Sequence, residues 1–267
     1  MKKTLNIKAL EKEYNLGLKL EKEKKFIQAA EAYKRALEID PDDHAGLYVR
    51  LASIKEGPTP ERASKAYVST LFDQVAEAFD YILVNQLKYN VPFQIRKIFD
   101  HYFSEQNFEN MLDLGCGTGL CAEAFEDICL TKVGVDISEK MIEIADEKGD
   151  YTYLYIADIL EFITKKNDIY DIIIAADVLP YIGELSAFIK NIKKNLSTKG
   201  VFCFSTETLE EKGNYKVGPY QRFSHSADYI KEILSLQKIS IIHCENVTVR
   251  FEQGAPVLGQ IYICQNR

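Results

Sequence analysis

From residue 109 onward, apolar and polar positions follow two alternating rhythms. Short apolar runs, at 109–115, 131–136, 151–157, 169–177 and 200–206, are separated by stretches such as 138–148 and 185–196. The apolar residues of those stretches recur every three or four positions. The first rhythm predicts strands and the second amphipathic helices. Regular alternation of the two predicts an α/β fold with a mostly parallel sheet and helices on both faces. The run at 169–177 is almost continuously apolar, as expected of a central strand covered on both sides. Two last strands, at 239–249 and 259–266, have only a Gly- and Pro-containing connection between them. That predicts a hairpin, and so an antiparallel strand completing a seven-stranded sheet.

The N-terminal 56 residues follow a different pattern. Residues 5–25 and 26–41 predict two helices, the second with apolar positions at Phe26, Ala29, Ala30, Tyr33, Ala36 and Leu37 and a stop at Pro41. A third helix is expected over 44–55. The segment GPTPERAS, residues 57–64, contains two prolines and a glycine, and it sets the expected boundary between a helical segment (1–56) and a larger domain (57–267). Aromatic-rich helices are expected over 66–90 and 91–103.

Composition narrows the function classes. The chain has 267 residues, of which 46% are hydrophobic and 27% charged, enough for an ordinary core. No apolar run is long enough to span a bilayer, and the basic start lacks the apolar region of a secretory signal, so a cytoplasmic protein with no membrane role is expected. The net charge is −7. Residues 1–56 carry 12 basic and 10 acidic side chains, against 21 and 30 in the remainder. An acidic main body repels phosphate backbones, so nucleic acid is not an expected partner. The six cysteines have neither paired nor zinc-ligand spacing, and no metal is expected.

The chemistry gathers around MLDLGCGTGL, residues 111–120. Gly115, Gly117 and Gly119 directly follow the first strand, at the edge where open parallel sheets bind ligands. Glycine there lets a ligand approach the main chain and lets the next helix start at once. The spacing is GxGxG, one residue short of the dinucleotide pattern GxGxxG. Asp136 closes the second strand, where its two oxygens could accept both hydroxyls of a ribose.

DLGCGTG, then VGVDIS with Met141, then the acid in IADI resemble the class I S-adenosylmethionine-dependent methyltransferases. The resemblance implies a Rossmann-like fold, S-adenosyl-L-methionine as cofactor and a set of roles. Gly115, Cys116, Gly117 and Gly119 would wrap the methionine part, with Asp113 holding its amino group. Asp136 would hold the ribose, Ile137 and Met141 would flank the adenine, and Asp158 with Ile159 would meet its amino group. Ala176 and Asp177 would line the methyl-transfer pocket. The alternative for Ile137, Met141 and Ile159 is core packing, and for Asp136 and Asp158 a helix N-cap.

Residues 5–41 resemble one tetratricopeptide repeat, carried by Leu16, Gly17, Ala29, Tyr33, Ala36 and Pro41, with Glu13 where a tryptophan is usual. Such a repeat implies either a docking site for a protein partner or a helical cap on the main domain. Segments of 57–267 are also similar to a bacterial group of methyltransferases that carry this repeat, and in part to enzymes that O-methylate malonyl thioesters.

The methyl acceptor is less legible. ADVLPYIG, residues 176–183, lacks the Asn/Asp-Pro-Pro-aromatic segment of nucleobase amine methylases. A small-molecule or carrier-bound acceptor is expected, with a carboxylate among the candidates. Tyr67, Tyr81, Tyr181, Tyr220, Arg222 and Arg250 are the expected substrate contacts, and His225 and Asp177 the expected catalytic groups. Two alternatives stay open: a protein methyltransferase whose repeat docks the substrate, and a cofactor-binding interaction protein without turnover.

Overall fold

The computed structural model describes residues 6–266. It opens with two antiparallel helices, α1 (Ile7–Lys22) and α2 (Phe26–Ile39), followed by α3 (Leu47–Ser53). The α1–α2 contact is close because one position has no side chain. A Cβ added at Gly17 would stand 2.2 Å from Tyr33 Cε1. Tyr33 is fully buried and donates its hydroxyl to Glu21 at 2.6 Å, so the ring has nowhere to retreat. Gly46, with a φ of +68°, precedes α3, and the buried carboxylate of Asp43 accepts from Leu47 N and Tyr48 N at 2.5 and 3.2 Å. That satisfies two of the donors a helix start leaves open.

Next come α4 (Lys65–Val75), capped by Ser64, and α5 (Val91–Phe103). Between them the single long helix expected over 66–90 is not regular. It tightens to a 3₁₀ turn at Ala76–Ala78 and widens to a π turn at Tyr81–Gln86. Its apolar residues Phe72, Phe79 and Leu83 face a cavity instead of following one helical stripe onto the sheet. Irregular pitch of this kind commonly marks functional segments.

The sheet begins at β1 (Phe108–Leu114), and β2 (Cys129–Asp136), β3 (Tyr153–Ile156), β4 (Tyr170–Ala175) and β5 (Leu196–Thr208) run parallel to it in the order β3-β2-β1-β4-β5. The intervening helices are α6 (Leu120–Ala124), α7 (Glu139–Lys148), α8 (Ile159–Lys165) and α9 (Ser186–Asn195). After β5 come β6 (Tyr215–Val217), β7 (Phe223–His225), α10 (Ala227–Leu236) and the hairpin β8 (Ile239–Glu252) with β9 (Ala255–Asn266). β9 pairs antiparallel with β5, as the sequence predicts. One face of the sheet is packed by Phe162, Phe188, Ile189 and Ile230 of the helices, the other by Ile95, Phe99 and Phe125.

The strand count differs from the expected seven. β6 and β7 form a three-residue ribbon in what reads from sequence as loop. β7 pairs with Glu207 and Thr208, the last residues of β5, beyond the end of β4. The ribbon therefore overhangs the carboxyl edge of the sheet. α3 packs against it: Val49, Tyr181, Val217 and Phe223 share one buried cluster. Among the described residues no helix is long and apolar enough to cross a membrane.

Candidate functional site

The first strand delivers the chain to the carboxyl edge of the sheet, and residues 115–119 turn there before α6. All three glycines have positive φ, at +71°, +52° and +99°, a region side chains adopt with strain. They are glycine for different reasons. A Cβ at Gly115 would lie 2.4 Å from Val178 Cγ2, so its bare side lets the end of β4 close in. A Cβ at Gly119 would meet Tyr151 at 3.3 Å. At Gly117 the nearest atom is Phe79 Cε1 at 3.8 Å, and the space in between belongs to a cleft. Its empty volume, open solvent included, is about 1020 Å³.

The cleft wall is assembled from the sheet edge and the irregular segment above it. From the edge come Gly115, Cys116, Gly117, Thr118, Asp136, Ile137, Asp158, Ile159, Ala176, Asp177 and Val178. Phe72, Phe79 and Leu83 roof it. The roof is tied down by polar contacts. Asp73 accepts from Ser138 Oγ at 2.5 Å, Asp80 pairs with Lys148 at 2.6 Å, and Thr118 donates to Asp80.

Asp136 is buried, with Oδ2 accepting from Gly117 N and Oδ1 from Ser138 N, each at 2.9 Å. Burial raises its pKa and these backbone donors lower it. Asp136 lines the cleft, so its carboxylate can accept from a ligand there. Asp158 also reaches the wall, but it is already engaged. It caps α8 through Glu161 N at 3.1 Å, and both its oxygens pair with Arg62, a cleft residue the sequence reading missed. Arg62 lies in the stretch 57–64 that reads as the domain boundary, and an isolated β-bridge joins it to Ile182.

Several expected site residues lie outside the cleft wall. Asp113 is buried beneath the glycine turn, where Oδ2 accepts from Tyr151 OH at 2.6 Å and Oδ1 has no partner. Burial, which Tyr151 only partly offsets, pushes its pKa up to about 7. Met141 is fully buried in α7. Tyr67 packs in the α3–α4 cluster, while Tyr81 and Tyr220 are exposed. His225 is a correction of substance. It lies on β7 with no exposed surface, its Nε2 donating to the carbonyls of Ile182 at 2.9 Å and Gly183 at 3.2 Å. Burial lowers its pKa to about 4, so it is neutral at physiological pH and ties two segments together instead of facing an acceptor.

Arg250 is displaced from its expected role for a similar reason. It is 1% exposed, and its guanidinium is fully committed: Nε to Glu252 at 2.8 Å, Nη1 to Asp177 at 3.3 Å and Nη2 to Glu207 at 2.5 Å. Arg222 joins the same cluster at 3.6 Å from Glu207 and Glu252 and 3.9 Å from Asp177. It contributes to the cleft wall, lies over the Tyr181 ring, and its buried Nη1 has no hydrogen-bond partner. Asp177 itself has a φ of +56° and is anchored by Ser205 Oγ on its backbone N–H at 2.8 Å. Among the described residues no group of three or more His, Cys, Asp and Glu side chains is arranged to hold a metal.

A family profile described as a methyltransferase domain matches residues 105–255, and a tetratricopeptide-repeat profile matches residues 11–43. The ubiquinone biosynthesis O-methyltransferase of Bartonella quintana is 34% identical over 104 residues, which covers 37% of this chain and 42% of the relative. The malonyl-[acyl-carrier protein] O-methyltransferase of Bacillus anthracis is 26% identical over 155 residues, 55% and 56% of the two chains. The chain thus spans about half the length of the curated relatives it matches. Among solved structures, a SAM-dependent methyltransferase from Leishmania major superposes with a TM-score of 0.61 at 14% identity, over 75% of this chain and 82% of that one. The magnesium protoporphyrin IX methyltransferase of Synechocystis PCC 6803, solved with bound SAM, does so with 0.57 at 18% identity, over 76% and 97%.

Proposed function

The chain belongs to the methyltransferase-domain family, whose profile covers more than half of it, and from that premise we propose that it transfers a methyl group from S-adenosylmethionine to a small-molecule or carrier-bound acceptor. The observation that carries the reading is the pairing of Gly117 with Asp136: a bare main chain open to the cleft, beside a buried carboxylate that steadies it. That pairing fits the cofactor, because a ribose diol finds two acceptor oxygens and the adjoining chain needs room for no side chain.

When bound, S-adenosylmethionine supplies a methyl group already activated on a cationic sulfur. The protein's own work is then binding, alignment and exclusion of water. Gly115, Gly117 and Gly119 shape the turn against which the methionine part rests. Asp136 orients the ribose, Ile137 and Ile159 give apolar walls for a base, and Phe72 and Phe79 close the roof. Arg62 holds Asp158 to the edge of the same space. Val178, Tyr181 and Arg222 line the acceptor side.

Arg222 Nη1 stands 3.6 Å or more from its three carboxylates without a hydrogen bond to any of them, and can donate to an acceptor oxygen. Three carboxylates already surround the two arginines of that cluster, so an uncharged hydroxyl suits the place better than a carboxylate, one of the candidates from sequence. Asp177 lines the cleft wall, which supports a role for it in accepting the hydroxyl proton. Residues 1–56 form the helical segment and 57–267 the methyltransferase domain, with α3 bracing the β6–β7 ribbon over the acceptor side. The test is formation of S-adenosylhomocysteine across an acceptor panel containing phenols, aliphatic alcohols and malonyl thioesters. Turnover with hydroxyl acceptors is the expected result. Cofactor binding without product from any member favours a non-catalytic binding protein.

A further inference from the structure

The cluster beside the cleft does not balance its charge. Asp177, Glu207 and Glu252 face only Arg222 and Arg250, and among the described residues no other cation lies within ion-pair distance of the three carboxylates. One negative charge is therefore left over in a region where Arg250 is 1% exposed and each carboxylate side chain between 14% and 16%. Burial raises the pKa of Glu207, with Asp177 adding to it against the pull of Arg250 and Arg222. Two polar atoms of the cluster, Arg222 Nη1 and Glu252 Oε2, are buried without hydrogen-bond partners.

The sheet order gives the imbalance a direction. Asp136 ends β2 and the glycine turn follows β1, whereas Asp177 follows β4 and Glu207 lies near the end of β5. A molecule with its base at Ile137 and Ile159, its sugar at Asp136 and its amino-acid part along the turn carries its sulfur between the last two, at the turn, whose Gly115 packs against Val178 at the end of the neighbouring β4. Asp177 and Arg222 are on the wall there.

We propose that this Asp177–Glu207–Glu252–Arg222–Arg250 cluster is a charge filter that favours the cationic sulfonium cofactor over its neutral thioether product. The inference rests on the cofactor reading above and deepens it. S-adenosylmethionine and S-adenosylhomocysteine differ by one methyl group and one positive charge at sulfur. In a poorly solvated site the surplus carboxylate attracts the first and is indifferent to the second. The same cluster would then promote exchange of product for fresh cofactor after transfer, because transfer removes the charge that held the ligand.

The experiment is isothermal titration of the full chain with S-adenosylmethionine and with S-adenosylhomocysteine, repeated for Glu207→Gln and Glu252→Gln. Each substitution keeps shape and removes the surplus charge. The expected result is a loss of about tenfold or more in affinity for the sulfonium, with the thioether affinity changed by less than about threefold. Retained thioether binding shows that the variant is folded. The second variant stands in where the first does not fold. A ratio of the two affinities equal to that of the wild type, in either folded variant, overturns the filter while leaving cofactor binding intact. A wild-type chain that binds neither compound overturns the cofactor reading and the filter together.

Discussion

Asp136 and Gly117 make one hydrogen-bonded unit, so their substitutions differ in kind. Asp136→Ala removes an acceptor for the ligand and frees the Gly117 N–H. Calorimetric affinity for S-adenosylhomocysteine should fall by about 1–3 kcal/mol. Gly117→Val places a branched side chain in the cleft and in a strained backbone region, and should abolish binding. Unchanged affinity in the first variant contradicts the ribose assignment. These two residues were legible in the sequence because strand-end aspartates and glycine turns recur at fixed spacing. His225 was not, since nothing local distinguishes a buried histidine tied to two carbonyls from one facing solvent. Its folded pKa of about 4 lies below the ordinary 6.5. A depressed histidine pKa gives stability that is present above 6.5 and is lost as pH falls toward 4. Denaturant unfolding should therefore show wild type exceeding His225→Asn at pH 7, with the gap narrower by about 2 kcal/mol at pH 5. A gap independent of pH would mean that His225 charges while folded.

Among elements, the five parallel strands and the closing hairpin were predictable from two-residue and near-four-residue periods. The β6–β7 ribbon and the irregular roof were not. Tyr215–Val217 and Phe223–His225 are three residues each, too short to show a period, and pairing with the overhanging end of β5 is what makes them strands. The roof reads as helix because its residues favour helix, but its apolar side chains are committed to the cleft. Arg62 was missed for a related reason: its role arises from a bridge to Ile182, far away in sequence. The α1–α2 pair makes a sharper claim. With Tyr33 immovable, Gly17→Val should cost about 1–3 kcal/mol, read as a lower unfolding midpoint. An unshifted midpoint would show that the two helices can separate without loss.

Across the whole molecule, the helical segment and the larger domain share a buried cluster, in which Val49 of α3 meets Tyr181, Val217 and Phe223. Arg50 of α3 also bonds Glu21 at 3.0 Å and Gln221 at 3.5 Å, next to Arg222. Removing residues 1–56 should expose this cluster and lower the melting temperature by about 5 °C or more. An unaltered melting curve would make the segment an independent attachment. The central claim is tested most directly by a crystal structure of the chain grown with S-adenosylmethionine. The account predicts both ribose hydroxyls within hydrogen-bond distance of Asp136 and the methionine part against the main chain of 115–119. Density for the cofactor elsewhere on the protein, or a ribose out of reach of Asp136, would contradict it.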